Sequence, residues 1–108
     1  MNLAKQHCNA ISARTQPSAA EARAFCATLP DWELQEQTLV KTFLFANYFE
    51  TMAFVNALAW IAHQENHHPD LEVHYNRVRV VWSTHDSASL TLNDFICAAR
   101  CQSLSVAD

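Results

Sequence analysis

The amino-acid sequence predicts an α+β fold: a single domain with the order α-β-β-α-β-β-α, in which helices pack on one face of a four-stranded antiparallel sheet. Two pairs of short segments with strand character, each pair separated by a turn, indicate two hairpins. Segments with helical apolar spacing precede, separate and follow these hairpins. A chain of 108 residues has the usual length of one domain.

The chain is predicted to begin with a leader and a capped helix. Residues 1–17 have no clear hydrophobic period, so we expect a partly ordered leader before a domain that spans residues 18–108. Ser18 and Glu21 have the spacing of a capping box, which predicts a helix over residues 18–29.

The first hairpin is predicted over residues 32–35 and 39–45, and a long helix over residues 47–66. Asn47 can cap this helix, and Glu50 follows three residues later. Apolar side chains lie nearly all round its circumference, and a helix that is apolar on every side is buried on every side. We therefore expect a homo-oligomer, a dimer or a tetramer, with this helix or a sheet edge at the interface.

The second hairpin is predicted over residues 72–75 and 77–83, and the last helix over residues 91–104. Thr91 and Asp94 have the spacing of an acidic capping box at the start of that helix. These two elements complete the predicted order.

The absence of glycine constrains the turns. The sequence contains no glycine, where an average chain has about seven per hundred residues. Any left-handed backbone position must therefore be filled by a residue with a Cβ atom, at some steric cost. Asn66 and Asn76 are predicted to fill such positions.

Composition and charge argue against several classes of protein. Half the residues are hydrophobic and 17% are charged, which argues against disorder. The net charge of −4, with scattered lysine and arginine, argues against nucleic-acid binding. Neither a run of 18 apolar residues nor a typical secretory signal is visible, so we expect a cytoplasmic protein that does not enter a membrane. The four cysteines form no C-x-x-C pair and are interpreted as reduced thiols.

The strongest chemical signal is a group of histidines. His67 and His68 precede Pro69, which ends or bends the chain, so both imidazoles are predicted to lie at the end of the long helix. His85 follows the second hairpin. Histidine exchanges protons near neutral pH, since its ordinary pKa is about 6.5. Catalysis is one interpretation of the pair, and a solvated helix end stabilised by the helix dipole is the other.

A metal site is a third interpretation of the same residues. His63 and His67 are four residues apart and could bind one ion from the same face of the helix. The adjacent His67 and His68 point in different directions, and no carboxylate is obviously arranged to complete the site. We therefore expect no bound metal.

The spacing of these residues resembles that of the pterin-4a-carbinolamine dehydratase family. That family carries an acidic or basic residue four positions before a His-His-Pro sequence, an aromatic residue six positions later, a further histidine and an aspartate on the last helix. The matching residues here are His63, His67, His68, Pro69, Tyr75, His85 and Asp94. The resemblance covers roughly residues 20–103. The chain departs from the family in having His63 where an acidic residue is frequent, and in lacking glycine in the loop over residues 86–90.

The resemblance implies a dehydratase that removes water from 4a-hydroxytetrahydropterin to give the quinonoid dihydropterin. This reaction recycles the cofactor of aromatic amino-acid hydroxylases, so such a hydroxylase is a candidate partner. The resemblance assigns the acid and the base to His67 and His85. It implies that His68 orients the substrate and that Asp94 supports the histidines. The further candidates for supporting or substrate-binding contacts are His63, Pro69, Tyr75 and Thr84.

Two imidazoles can deliver a proton to the leaving hydroxyl and remove one from ring N5, so no metal or redox cofactor is required. The alternative function is a non-catalytic protein-binding module or regulator that acts through the long helix, as a transcriptional coactivator of the family does in animals. A scaffold has no physical need for His67, His68 and His85 together, and this favours the enzyme.

Overall fold

The computed structural model of the protein describes residues 2–85 and 89–104. The helices and strands in this part of the chain are two 3₁₀-helices at Leu3–Lys5 and Ser12–Arg14, α1 Ala19–Ala27, β1 Glu33–Gln35, β2 Thr38–Leu44, α2 Tyr48–Glu65, β3 Asp70–His74, β4 Arg77–Trp82 and α3 Leu92–Ser103. The predicted α+β class and the order of the seven main elements are confirmed. None of the described helices is long and apolar enough to cross a membrane. The glycine-free loop of the sequence falls partly outside the described residues, at positions 86–88.

The sheet has the strand order β1-β2-β4-β3, and neighbouring strands are antiparallel. Leu39 lies opposite Trp82, and Phe43 lies opposite Val78, so these side chains share one face. All four are buried, together with Leu58 of α2 and Phe95 and Ile96 of α3. The helices therefore cover one face of the sheet. On the other face, Leu44 is 76% exposed.

The helix starts follow the local signals in the sequence. Glu21 donates its backbone N–H to Ser18 Oγ over 3.1 Å, and Ser18 N–H donates to Glu21 Oε1 over 2.9 Å. Asn47 Oδ1 accepts from the backbone N–H of Glu50 over 2.9 Å. These side chains satisfy N–H groups that have no partner inside the helix, which confirms both predicted caps.

One of the two predicted left-handed positions is confirmed and the other is wrong. Asn66 has φ 51°, whereas the other positive φ angles in the described part of the chain are 67° at Asp31 and 56° at Glu36, and Asn76 has none. Glu36 lies in the turn between β1 and β2. Glutamate has no special preference for this region, so the pairing of the strands imposes the conformation there.

The first residues of the chain pack against α3. We call residues 2–17 the N-terminal strap. Leu3 of the strap is a buried member of the hydrophobic core. At the other end of the strap, the carbonyl of Thr15 accepts from the backbone N–H of Leu92 over 2.8 Å. The predicted leader thus contacts the core at both ends, whereas the domain boundary at residue 18 stays a prediction.

Candidate active site

The C-terminal turn of α2 places the side chain of His67 next to α3. The N–H of Asn66 donates to the carbonyl of His63 over 3.3 Å, and the N–H of His67 donates to the carbonyl of Ala62 over 3.1 Å. With Asn66 in the left-handed conformation, these two bonds form a Schellman motif, the common way for a helix to end. The chain therefore reverses at one residue, and the next side chain is His67.

The ring of His67 is held on its edge and on its face. Its Nε2 lies 2.6 Å from Asp94 Oδ1, and only 12% of its side chain is exposed. The ring stacks on Trp82, with centroids 5.6 Å apart and planes 12° apart. Trp82 itself is fully buried. The orientation of His67 is therefore fixed by contacts from α3 and β4.

Asp94 is a fully buried carboxylate with several partners. Its Oδ2 accepts from Thr84 Oγ1 over 2.8 Å and from the backbone N–H of Thr91 over 3.0 Å. Thr84 Oγ1 and Thr91 Oγ1 are 2.7 Å apart. Since the single proton of Thr84 goes to Asp94, the hydroxyl of Thr91 is the donor in this second contact. Asp94 thus caps the start of α3 and also contacts His67.

His68 and His85 form a second, more open pair. Their rings stack with centroids 5.0 Å apart and planes 15° apart. His85 Nε2 lies 3.5 Å from Asp70 Oδ2, and both side chains are about half exposed or more. Five of the predicted site residues therefore fall into two groups. His67, Thr84 and Asp94 are in contact and largely buried, whereas His68 and His85 are stacked and open to solvent. The sequence analysis missed Asp70, although a carboxylate directly after Pro69 was a visible signal.

Two predicted site residues lie outside this cluster. His63 is exposed on α2, with its ring 5.9 Å from that of Trp60. Tyr75 follows β3, whose other end is Asp70, so it lies about 16 Å along the strand from that residue. Tyr75 is 63% exposed and stacks on Tyr48. Tyr75 therefore lies on the surface of the molecule, away from Asp70.

A cavity of about 360 Å³ adjoins the buried histidine. His67, Thr84 and Asn93 line one side, and Cys8, Asn9 and Ala13 of the strap line the other. A larger cavity of about 550 Å³ lies between the strap and the helices α1 and α3, but none of the side chains that line it is titratable. Of these two cavities, the smaller one therefore has titratable side chains in its wall, among them His67 and Glu65. Sequence reasoning could not find the strap residues, because more than 50 positions separate them from His67.

Glu65 joins the strap to the end of α2. Its Oε1 accepts from the backbone N–H of Cys8 over 2.7 Å, and its Oε2 lies 2.8 Å from His7 Nδ1. Burial alone would raise the pKa of the Glu65 carboxyl. The hydrogen bonds from Cys8 and His7, with the charge of Arg100, outweigh burial and hold this pKa below its ordinary value.

The described residues contain no group of three or more histidine, cysteine, aspartate or glutamate side chains arranged to hold a metal ion. The contacts described above nevertheless supply three imidazoles, those of His67, His68 and His85, and the buried carboxylate of Asp94. These groups can bind, orient and exchange protons with a small polar ligand.

Comparison with known proteins identifies the family. The model of the family described as pterin 4 alpha carbinolamine dehydratase matches residues 15–104. A relative from Chromobacterium violaceum, provisionally named as a pterin-4-alpha-carbinolamine dehydratase, is 55% identical over 104 residues, which is 96% of each chain. A relative from Stenotrophomonas maltophilia with the same provisional name is 63% identical over 78 residues, covering 70% of this chain and 67% of the relative.

The fold also matches a solved structure. A crystal structure from Brucella melitensis, described as a transcriptional coactivator/pterin dehydratase, has a TM-score of 0.81 and 22% sequence identity, and the match covers 84% of this chain and 99% of that one. At this identity the likeness supports the fold alone.

An α+β domain that holds one histidine on a buried carboxylate and a second, stacked pair of histidines open to solvent has the parts of an acid–base catalyst. The chain belongs to the pterin-4a-carbinolamine dehydratase family, a family of lyases. The resemblance found in the sequence is confirmed.

Proposed function

We propose that the protein removes water from a 4a-hydroxytetrahydropterin to give the quinonoid dihydropterin. The observation that carries this proposal is the contrast between the surroundings of His67 and those of His85. His67 is buried on Asp94, whereas His85 is open to solvent beside His68. An elimination with a separate acid and base needs two imidazoles, and these two differ in their hydrogen-bonding partners and in their access to water.

We assign the base to His67. Asp94 accepts hydrogen bonds from Thr84 and Thr91 on one oxygen, and its other oxygen faces Nε2 of His67. With its hydrogen on Nε2, the neutral ring donates a hydrogen bond to this carboxylate. The lone pair of the ring is then on Nδ1. In this proposal Nδ1 accepts the proton of pterin N5.

We assign the acid to His85. Its ring is about half exposed and can take up a proton from water between turnovers. The proton passes to the C4a hydroxyl, the C4a–O bond breaks, and water leaves. The electron pair of the N5–H bond forms the N5=C4a double bond as the proton passes to His67. One proton leaves His85 and one arrives at His67, so the oxidation state is unchanged. His68, stacked on His85, is assigned to orienting the pterin.

Background-corrected turnover of freshly made 4a-hydroxytetrahydropterin tests this proposal. His67→Ala and His85→Ala should each lower turnover by roughly 10²-fold or more, the usual scale of general acid–base catalysis. His74→Ala is the matched control, because His74 is an exposed histidine at the far end of β3. If both single variants and the double variant keep wild-type turnover, the assignment is wrong.

The dependence of kcat/KM on pH gives a second test. An acid and a base that are both imidazoles produce a bell-shaped profile, with both limbs within about two units of pH 6.5. A flat profile from about pH 5 to pH 9 excludes histidine from the mechanism.

We also propose that copies of the chain associate, as a dimer or a tetramer. Phe49 and Trp60 on α2 are 82% and 61% exposed, and a large exposed apolar surface is unusual on a monomer. We further propose that the protein is cytoplasmic. Its candidate partner is an aromatic amino-acid hydroxylase of the same pathway. The alternative of a non-catalytic binding module uses the same helix face but gives His67, His68 and His85 no role.

A further inference from the structure

We propose that Cys8 and Cys97 form a reversible disulfide that fastens the N-terminal strap to α3. Their sulfur atoms are 3.4 Å apart. The bond length of a disulfide is about 2.05 Å, so an approach of about 1.4 Å closes the bond. The two residues are 89 positions apart in the chain, and the fold alone brings them together.

Hydrogen bonds hold the backbone of Cys8 in this position. Its N–H donates to Glu65 Oε1 over 2.7 Å, and its Sγ lies 3.6 Å from the carbonyl oxygen of Asn93 on α3. The N–H of the next residue, Asn9, lies 3.4 Å from Asn93 Oδ1. The strap is therefore attached to both α2 and α3 next to Cys8. The two thiols are already close together in the folded protein.

The two thiols differ in access. Cys8 is partly exposed, whereas Cys97 is fully buried in the core. The hydrogen bond with Cys8, together with burial, raises the pKa of the Cys97 thiol. Because Cys8 is the more exposed of the two, a dissolved oxidant reaches it first, and the 3.4 Å distance between the sulfur atoms places Cys97 as the resolving thiol.

The chemistry balances with hydrogen peroxide as the oxidant. The Cys8 thiolate attacks one peroxide oxygen, the O–O bond breaks, and Cys8 becomes a sulfenic acid. Cys97 then attacks the sulfur of Cys8, and its own proton leaves with the hydroxyl group as water. The two sulfurs together lose two electrons, which the peroxide accepts, and the products are the disulfide and two molecules of water. A dithiol reverses the bond by thiol–disulfide exchange.

The other two cysteines serve as internal controls. Cys26 is partly exposed, as Cys8 is, but its Sγ donates to the carbonyl of Trp32 over 3.1 Å. Cys101 is buried, and burial raises the pKa of its thiol to about 12. Within the described residues, neither sulfur has a hydrogen-bond contact with another cysteine. Loss of the Cys8 and Cys97 thiols, with the other two thiols retained, therefore distinguishes the proposed disulfide from general oxidation of cysteines.

Peptide mapping tests the bond directly. Cleavage after lysine and arginine places each cysteine on its own peptide, at residues 6–14, 24–41, 80–100 and 101–108. The folded, fully reduced protein is treated with a slight excess of hydrogen peroxide, its remaining thiols are alkylated after denaturation, and the digest is analysed by mass spectrometry. We expect peptides 6–14 and 80–100 joined, with peptides 24–41 and 101–108 alkylated. Dithiothreitol before alkylation should restore all four alkylated peptides.

Three variants sharpen the test. Cys8→Ser and Cys97→Ala should abolish the joined peptide, whereas Cys26→Ser should leave it unchanged. Cys8→Ser changes a partly exposed position, so it stays informative if Cys97→Ala folds poorly. If Cys8 instead accumulates higher oxidation states, forms bonds between chains, or stays alkylated with Cys97 under the peroxide treatment, the proposed pairing is wrong.

Thermal unfolding tests whether the bond fastens the strap. The oxidised protein should unfold at a midpoint about 5 °C or more above that of the reduced protein, because a bond across a long loop restricts the unfolded chain. Cys8→Ser should show no such difference between oxidising and reducing conditions. An oxidised wild-type protein with the midpoint of the reduced form overturns the fastening of the strap.

Discussion

At the scale of single residues, groups from separate parts of the chain fix the orientation of the His67 ring. Asp94 of α3 contacts its ring edge, and Trp82 of β4 covers its ring face. Thr84 donates a hydrogen bond to the carboxylate that contacts the ring. A carboxylate that is fully buried must satisfy its lone pairs inside the protein, and each partner therefore also restricts where the carboxylate can lie. We infer that Asp94 is a positioning residue for His67.

Asp94→Asn tests this role. The amide has only one acceptor oxygen, so it cannot serve His67, Thr84 and Thr91 in the same way, and the preferred tautomer of His67 is lost. We expect kcat/KM to fall by roughly 10²-fold or more and the pH profile to change shape. A merely structural role would leave the shape of that profile unchanged.

Asp70→Asn is the control for this variant. Asp70 is an exposed aspartate 3.5 Å from His85, and exposed pairs contribute little, so we expect a loss of less than about fivefold. Thermal unfolding of both variants shows whether the fold is retained. An Asp94→Asn protein that keeps the wild-type pH profile and kcat/KM contradicts the positioning role.

At the scale of elements, the last turn of α2 links a backbone conformation to the site. Asn66 occupies a left-handed position, and His67 is the next residue. Asparagine tolerates this conformation better than most residues with a Cβ atom. A substitution at Asn66 therefore tests how the helix end supports the fold.

Asn66→Ala should lower the free energy of unfolding by about 1 kcal/mol, because alanine pays the full steric cost of the left-handed region. Asn66→Gly removes that cost and should leave the free energy of unfolding unchanged or raised. Urea denaturation of the two variants measures the difference. Equal stability of the alanine and glycine variants contradicts this account of the turn.

Glu65 makes the attachment of the strap sensitive to acid. The pKa of this carboxyl in the folded protein is lowered below the unfolded-state value of about 4.3. The stabilisation it provides is therefore complete above about pH 4.3 and is lost as the pH falls through the lower, folded-state pKa.

Glu65→Gln should consequently cost stability at neutral pH, and the difference from the wild type should shrink as the solution is acidified below about pH 4. Urea denaturation between about pH 7 and pH 3 measures this difference. Glu72→Gln is the control, because Glu72 pairs with Arg79 on an exposed surface, where a small difference at every pH is expected. A Glu65→Gln difference that does not vary with pH contradicts the assignment.

At the scale of the whole molecule, helices cover one face of the sheet, while one side of α2 is exposed to solvent. Phe54 and Leu58 of α2 are buried in the core, whereas Phe49 and Trp60 point to solvent. Phe45, Phe49, Phe54 and Leu104 are the larger apolar residues that line a groove of about 320 Å³ on this side. A second copy of the chain is the occupant that we propose for this surface.

Phe49→Glu should therefore reduce the size of the particle measured by light scattering, because a charge in an apolar interface is costly to bury. Leu44→Glu places the same charge on the open sheet face, where Leu44 is 76% exposed, and distinguishes a helix interface from one on the sheet. A wild-type protein that is a monomer of 12.2 kDa at tens of micromolar contradicts the proposed association.

Local signals in the sequence predicted most of the architecture. The capping residues Ser18 and Asn47 mark the starts of α1 and α2 to within one residue. Capping depends on side chains only three positions apart, so short-range spacing is sufficient to detect it. The second hairpin was predicted less accurately, since β3 begins at Asp70 rather than residue 72. The left-handed Glu36 and the exposed Tyr75 carried no such local signal.

The sequence by itself determined the elements, the fold class and the set of histidines, because periodicity, capping and motif spacing act over a few residues. Only the tertiary structure decided which groups meet. The contact of His67 with Asp94 spans 27 positions, that of His7 with Glu65 spans 58, and that of Cys8 with Cys97 spans 89. Contacts at such separations depend on how helices and strands pack around one core, and no local spacing in the chain encodes them.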